Sequence, residues 1–400
     1  MPDATLLRGI PRTVWVLGLI SLCMDISSEL VHGLLPIFLV GTLGSSMLTL
    51  GLIEGAAEAT ALIVKVFSGA LSDYFGKRKG LLLLGYGLGA LSKPLFPLAG
   101  SAHAVFTARL LDRIGKGIRG APRDALVADV TPPALRGAAF GLRQSLDSVG
   151  AFLGPLLAVL LMLLLHDNIQ LVLWFAVPPA LLAVGLIVFG LHEPARAVGH
   201  AALRSPINRA SLRRFPAAFW WVTLFGALFT LARFSEAFLV LRAQQVGMAV
   251  TWIPLVMVLL GLFYLLSAYP VGRLSDRVGR QGLLGAGLGL LVIADLLLAA
   301  GNSLFCVLLG VAVWGLHLGF TQGLLAAMVA DTAPADLRGT AFGVFNLLSG
   351  VAMLVASGLA GWLWQTWGAA SCFAAGALFA TLAWILLRVH PARTGYPERP

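Results

Sequence analysis

Charged residues are scarce in this sequence of 400 residues: Asp, Glu, Lys and Arg make up 12% of it, and hydrophobic residues make up 58%. A soluble domain carries about 25% charged residues, so an ordinary soluble protein is excluded. The charges lie in short clusters separated by apolar runs of about 20 residues, long enough to cross a bilayer as helix. The alternating segments of about 10 residues that membrane-spanning strands need are absent. The sequence therefore predicts an all-α membrane protein.

Cysteine is also scarce, and catalytic motifs are missing. Cys23, Cys306 and Cys372 lie inside apolar runs without a close-spaced pair, which excludes a disulfide framework or a zinc site. No nucleophile elbow, P-loop or H-E-x-x-H spacing occurs, so we expect neither an enzyme nor a bound cofactor or metal. The net charge of +10 is typical of a membrane protein with basic cytoplasmic loops, and we expect no nucleic-acid partner.

The apolar runs predict twelve membrane-spanning helices. Their expected starts lie near residues 13, 47, 80, 103, 138, 169, 215, 251, 282, 304, 339 and 364. The odd-numbered connections contain no Lys or Arg, whereas the even-numbered ones are basic, which predicts that both termini are cytoplasmic. Residues 192–214, rich in Arg, are expected to be a cytoplasmic linker between helical bundles at 1–191 and 215–400.

The two halves of the chain are related in sequence. Val127–Gly141 aligns with Val329–Gly343 at an offset of 202, and a G-x-L-S-D-x-x-G pattern at Gly69 recurs at Gly272. Two motifs that repeat at nearly one displacement predict a duplicated six-helix unit.

The segment Gly69–Lys79 resembles the loop signature of the major facilitator superfamily, and the resemblance covers the whole chain. It implies twelve helices in two pseudo-symmetric six-helix bundles, and a loop that locks the outward-facing state through Asp73. Tyr74 departs from the family pattern, as do Gln281 and Gly282 in the second copy. The conformational gate implied by the resemblance comprises Gly69, Asp73, Gly76, Lys77, Arg78, Arg136, Asp276, Arg277 and Arg338.

Two weaker matches add detail. Arg113–Gly117 resembles the R-x-x-x-G element of the family, in which the Arg is implicated in proton transfer. Gly150–Pro155 is similar to the core of the antiporter motif, where a glycine-proline break bends the helix. Leu146 and Ala158-Val159 depart from that motif, so antiport is favoured but not established by it.

Ionisable residues inside the predicted spans indicate a pathway or a buried pair. Asp25, Glu29 and His32 fall on one face of the first span. Glu54, Glu58 and Lys65 do the same in the second span, and the two stripes could share a cavity. Crowded carboxylates favour proton exchange near neutral pH. The predicted proton-coupling residues are Glu29 first and Asp25 second, with Glu58 and Arg113.

The remaining polar residues in the spans are candidates for a substrate cavity. Together with His32, Glu54 and Lys65 they are Arg109, Asp112, Lys116, Arg143, Asp147, Arg233, Glu236, His317 and Gln322. An alternative stays open for the fourth span: its charges could form ion pairs that only orient helices. Snorkelling and pairing near the membrane surface would similarly explain Arg119 and Arg123.

The sequence thus predicts a proton-coupled secondary transporter, in contact with membrane lipid and monomeric, in the bacterial cytoplasmic (inner) membrane. We expect export of a small molecule by proton antiport. Alternatives are an organic-anion transporter, an exporter of a divalent transition metal or metal chelate, and a receptor or scaffold that does not transport.

Overall fold

A computed structural model describes residues 9–75, 77–193, 212–278, 280–334 and 337–389. These residues form helices and turns and contain no strand, as the all-α prediction requires. The predicted linker falls largely at 194–211, outside the described residues.

The described residues of the first half of the chain form eight α-helices. They are α1 (Arg12–Ile37), α2 (Met47–Phe75), α3 (Lys79–Ser92), α4 (Leu95–Leu98), α5 (Ala102–Val130), α6 (Arg136–Leu164), α7 (Ile169–Trp174) and α8 (Val177–Gly185). Two π-helical turns, Phe38–Thr42 and Leu186–Gly190, extend α1 and α8, and a 3-10 turn at Pro133–Leu135 precedes α6.

The described residues of the second half form seven. They are α9 (Ala217–Leu231), α10 (Ala237–Gln245), α11 (Leu255–Val278), α12 (Arg280–Ala300), α13 (Leu304–Thr332), α14 (Arg338–Trp367) and α15 (Ala369–Val389). A 3-10 turn at Val250–Trp252 precedes α11. The turn before α15 lies at Gly368 (φ +87°), so the last helix begins at Ala369 rather than near residue 364 as predicted. This left-handed backbone favours glycine, which explains where the turn occurs.

Ten of the described helical segments are long and apolar enough to cross a membrane, and the predicted spans at 103 and 215 are the two exceptions. The first corresponds to α5, which has 29 residues but carries too many charges to count as an apolar span. The second is divided into α9 and α10 by a non-helical stretch at residues 232–236. Composition alone could not reveal this break, because the run is apolar on both sides of it.

The chain divides into two compact units. Unit 1 comprises residues 1–44, 60–205 and 250–255, and unit 2 comprises 45–59, 206–249 and 256–400. The first half of α2 belongs to unit 2 because it packs on the backbone of α14. A Cβ atom on Gly55 would lie 3.0 Å from both Leu354 Cα and Ser357 Cβ.

Each unit has its own apolar core. In unit 1, Val14 and Leu17 of α1 pack with Leu82 of α3 and Ala183 of α8, all of them fully or almost fully buried. This core holds together the polar faces of α1, α3, α5 and α6, where the predicted site residues of the first half lie.

Candidate functional site

Helix α5 concentrates buried charge. Arg109, Asp112, Arg113 and Arg119 are each no more than 5% exposed. Their spacing places them on one side of the helix. Because charge is costly in lipid, these side chains require polar partners within the protein.

Lys93, which ends α3, is paired with Asp112 of α5. Its ammonium group donates to Asp112 Oδ1 at 2.7 Å and to the Ser28 hydroxyl of α1 at 3.0 Å. Arg113 Nε lies 3.9 Å from the other carboxylate oxygen, Oδ2. All four residues are buried. This group therefore joins α1, α3 and α5 at one point inside unit 1.

A second ion-pair cluster joins α5 to α6. Arg143 Nη1 lies 2.7 Å from Asp147 Oδ2, one turn along the same helix, and 3.7 Å from Asp124 Oδ1. Arg123 Nη1 lies 3.6 Å from the same Asp147 oxygen, and its Nε lies 3.4 Å from Asp124 Oδ1. Two guanidinium groups thus share two carboxylates.

Ser21 of α1 connects this cluster to Tyr86 of α3. Arg123 donates to the Ser21 hydroxyl at 3.0 Å, and the Ser21 and Tyr86 hydroxyl oxygens are 3.1 Å apart. The guanidinium carbon of Arg119 lies 4.7 Å from the centroid of the Tyr86 ring, a cation–π distance. The absence of a side chain at Gly85 allows this approach, since a Cβ there would lie 2.8 Å from Arg119 Cβ.

Asp25 and Glu29 lie on α1 at positions where glycines of α6 approach closely. A Cβ atom on Gly150 would lie 3.0 Å from Asp25 Cβ, and one on Gly154 would lie 2.9 Å from Glu29 Cβ. In both cases a main-chain carbonyl of α1 would be even nearer, at 2.7 Å and 2.8 Å. The segment resembling the antiporter motif therefore sets α6 directly against the two carboxylate positions.

Both carboxylates have cationic neighbours. The charged groups around Asp25 are Asp147, Arg119, Arg123 and Lys116, so Asp25 adjoins the α5–α6 cluster.

Glu29 is surrounded differently. Its Oε2 lies 3.5 Å from His32 Nδ1, and Lys116 and Arg113 are its cationic neighbours. Its side chain is 24% exposed, unlike that of Asp112 at 3%. A partly exposed carboxylate is accessible to water, and binding a proton there would remove one negative charge from the network. Among the described residues, no group of three or more His, Cys, Asp or Glu side chains is arranged to hold a metal ion.

The chain matches the model of a known protein family. The model of the Major Facilitator Superfamily matches residues 17–263 and 236–400. The chain belongs to this superfamily. It is a multi-pass membrane transporter, and the resemblance found in the sequence is confirmed.

Relatives of known sequence agree. An uncharacterized MFS-type transporter of Methanocaldococcus jannaschii is 32% identical over 391 residues, covering 95% of each chain. Multidrug resistance protein MdtH of Proteus mirabilis is 27% identical over 337 residues, covering 84% of this chain and 82% of the relative.

Solved structures share the fold. A POT family transporter superposes with a TM-score of 0.79 at 15% identity, covering 98% of this chain and all of the other. The nucleoside transporter NupG gives a TM-score of 0.73 at 14% identity, covering 96% of this chain and all of the other. At these identities the likeness shows an MFS fold alone.

The predicted MFS gate residues are described only in part. Gly76 and the side chains of Asp73, Asp276 and Arg277 lie outside the described residues, Lys77 and Arg136 are exposed, and Gly69 lies in α2. Arg78 Nε pairs with Asp129 Oδ2 at 2.9 Å, and Arg338 Nε donates to the Ala330 carbonyl at 3.2 Å. The first contact lies within unit 1 and the second within unit 2.

The stripe predicted on α2 is divided between the units. Glu54 and Glu58 lie in the half of α2 that belongs to unit 2, whereas Lys65 lies in unit 1 with its Cε 3.7 Å from the Cβ position of Gly120. Glu54 is 1% exposed. That the α1 and α2 stripes share a cavity stays a prediction.

Unit 2 contains the remaining predicted residues. His317 is fully buried, its Nδ1 lies 2.8 Å from the Gly287 carbonyl, and its ring is 5.4 Å from that of Phe229. The guanidinium carbon of Arg233 lies 5.6 Å from the centroid of the same Phe229 ring. Arg233 and its charged neighbour Glu236 lie in the break between α9 and α10. Gln322 of α13 is exposed.

Sequence reasoning missed the neutral partners of the network. Ser21, Ser28 and Tyr86 carry no signal in the pattern of charges, because each is one of many hydroxyls in apolar runs. Lys93 stands out in the sequence as a lysine inside an apolar run, but no sequence pattern identifies Asp112 as its partner. Snorkelling or ion pairing is one explanation of Arg119 from its sequence position; in the structure its side chain is buried against Tyr86.

Proposed function

We propose that this MFS transporter is a proton-coupled exporter, which moves a small organic molecule outward in exchange for protons. The observation that carries the proposal is the position of Asp25 and Glu29, two partly exposed carboxylates on α1 beside the cations of α5 and against the glycines of α6. Ionisable groups at such positions in membrane proteins typically mark proton pathways.

The proposed coupling uses competition for charge. When Glu29 is ionised, it interacts with Arg113 and Lys116; when it binds a proton, those cations lose a partner. A substrate that binds the ionised Glu29 carboxylate therefore competes with protons for it, which is what antiport requires. Asp25 has the same role toward Arg119 and Arg123. Glu58 is a further proton-coupling candidate on α2.

The conformational cycle proposed is the alternating access of two six-helix bundles, at 1–191 and 215–400. The predicted gate residues anchor its cytoplasmic loops. The basic even-numbered connections support cytoplasmic termini in a bacterial inner membrane. We expect a monomer to suffice, because each proposed proton site is built within one chain.

The direction of transport rests on two supports. The Gly150–Pro155 segment is similar to the antiporter motif, and it packs on the carboxylate positions. In addition, several relatives, such as the Proteus mirabilis protein, are named multidrug resistance proteins.

An organic anion is the second candidate substrate. The polar faces of α1, α3, α5 and α6 carry seven cations and five carboxylates; the cations are Lys93, Arg109, Arg113, Lys116, Arg119, Arg123 and Arg143, and the carboxylates are Asp25, Glu29, Asp112, Asp124 and Asp147. This surplus favours a negatively charged ligand. A metal substrate lacks such support, since no metal-binding group occurs in the described residues.

Uptake into inside-out proteoliposomes under an imposed pH gradient tests the proposal. The two probes are ethidium, a lipophilic cation, and para-aminohippurate, an organic anion. We expect gradient-dependent accumulation of one probe and its loss when the gradient is dissipated. Accumulation that is unaffected by dissipation would contradict proton coupling. Preference for ethidium would contradict the organic-anion candidate alone.

A further inference from the structure

Asp295 of α12 is a buried carboxyl group for which the coupling scheme above has no use. Its exposure is 0%, and neither Oδ1 nor Oδ2 has a hydrogen-bond partner among the described residues. An isolated carboxylate in such surroundings is very costly, whereas the neutral acid is much less so. The burial therefore indicates a carboxyl group that holds a proton in this conformation.

An aromatic ring adjoins the Asp295 carboxyl group. A Cβ atom on Gly376 of α15 would lie 2.7 Å from Asp295 Oδ2 and 3.1 Å from Phe234 Cε1, so the carboxyl group and the Phe234 ring meet at this glycine. The Phe234 ring centroid lies 5.5 Å from those of Trp314 and Phe373. The carboxyl group thus sits beside packed rings that offer it no counter-charge.

Besides Cys306 and Asp331 of α13 and Arg388 of α15, five titratable or charged side chains lie on the surrounding elements: Cys372 of α15, His317 of α13, Arg242 of α10, and Arg233 and Glu236 in the break before α10. Cys372 is a buried thiol close enough to interact electrostatically with Asp295. His317 and Arg242 bond to main-chain carbonyls, and Arg233 faces a phenylalanine ring. In the described part of the chain, none of the five forms an ion pair or hydrogen bond with Asp295.

The backbone that carries Phe234 offers a way for the Asp295 site to open. Phe234 lies in the non-helical stretch at 232–236 between α9 and α10. Interrupted helices inside membrane proteins are tolerated where the backbone is buried or lines a cavity, and they often move during transport. Trp314 Nε1, in the same aromatic cluster, is a buried donor without a hydrogen-bond partner in the described residues.

We propose that Asp295 is a second proton-binding site of this transporter, located in unit 2 and opened by movement of Phe234. On opening, the carboxyl proton passes to water, and the resulting carboxylate can accept a hydrogen bond from Trp314 Nε1. The role in transport rests on the proposed proton-coupled function; the protonated state does not.

Infrared difference spectroscopy of the purified protein in detergent tests the protonated state. At neutral pH, subtracting the spectrum of Asp295→Asn from that of the wild type should leave the C=O band of a protonated carboxylic acid. The matched control Asp124→Asn, which alters a 41% exposed, ion-paired carboxylate, should leave a carboxylate band instead. A carboxylate band for Asp295 would overturn the proposal.

A second variant covers the case in which Asp295→Asn does not fold. Asp295→Val is apolar and closest in size, so it should fold with thermal stability equal to or above that of the wild type if the acid is neutral in an apolar setting. A large loss of stability would indicate an ionised and paired carboxylate, and would overturn the proposal.

The transport arm counts protons with a pH dye inside proteoliposomes, with ethidium or para-aminohippurate as the transported probe. Asp295→Asn should lower the number of protons moved per probe molecule, and an unchanged ratio would remove Asp295 from coupling. If the infrared band is found but the wild type moves no protons with either probe, the proposed function fails while the protonated site stands.

Discussion

The buried pair of Lys93 and Asp112 allows a prediction of stability with a definite magnitude. Removing one partner of a fully buried ion pair typically costs about 3–5 kcal/mol, because the other charge is left uncompensated. Asp112→Asn leaves the Lys93 ammonium group with only neutral partners, the introduced amide and the Ser28 hydroxyl, so we expect a cost near the upper end. Lys93→Met leaves Asp112 with Arg113 at 3.9 Å, so we expect a cost near the lower end.

Replacing both partners should cost much less than the sum. The double variant Lys93→Met/Asp112→Leu removes both charges and keeps apolar volume, a change that is often neutral or stabilising for buried pairs. The assay is equilibrium unfolding of the purified protein in mixed micelles with a rising fraction of sodium dodecyl sulfate. Asp124→Asn is the control, since its pair is partly exposed and should cost about 1 kcal/mol or less.

Additivity would refute this reasoning. If the double variant lost as much stability as the two single variants together, the two charges would not compensate each other. If each single variant cost less than about 1 kcal/mol, the pair would be hydrated rather than buried.

Three further predictions use the same unfolding assay. Gly154→Val should cost about 1–3 kcal/mol because the added carbons meet the backbone of α1, whereas Gly141→Ala, where a Cβ has open space, should stabilise α6 by up to about 1 kcal/mol; equal effects would contradict close packing at Gly154. Tyr86→Phe should cost about 1 kcal/mol through loss of its buried hydrogen bond, and no change would show that bond to be unimportant. Glu193→Ala should cost about 1 kcal/mol, because Glu193 accepts from the main-chain N–H groups of residues 78 and 79 at the start of α3; Glu193→Gln should lose less, and an equal loss would assign the effect to charge.

Much of the fold follows from the sequence because helix-forming apolar runs and a repeated motif are local signals. The charged face of α5 could be predicted from spacing alone, since a helix fixes which residues share a side. The close packing of α6 on α1 also has a signal in the sequence, the glycines at 150 and 154.

Other features depend on how helices pack, and no local pattern reveals that. The pairing of Lys93 with Asp112 requires the register between α3 and α5, and the burial of Arg119 requires Tyr86 to stand opposite it. The break at 232–236 contains Arg233 and Glu236, but charges inside a span do not by themselves show that the helix is interrupted. The isolation of Asp295 depends on the side chains packed around it. A sequence shows which side chains are charged. Whether a buried charge has an oppositely charged partner depends on residues that are distant in the chain.

The most direct test of the account is the transport behaviour of Glu29→Gln in proteoliposomes, with the probe that the wild type accumulates. The account predicts that accumulation driven by a pH gradient is lost, whereas exchange of labelled for unlabelled probe without a gradient is kept, because the variant cannot release a proton but can still change conformation. The control Asp167→Asn, which alters an exposed carboxylate outside the charged network, should keep both activities. Retention of gradient-driven accumulation in Glu29→Gln would contradict the central claim that this carboxylate couples protons to transport.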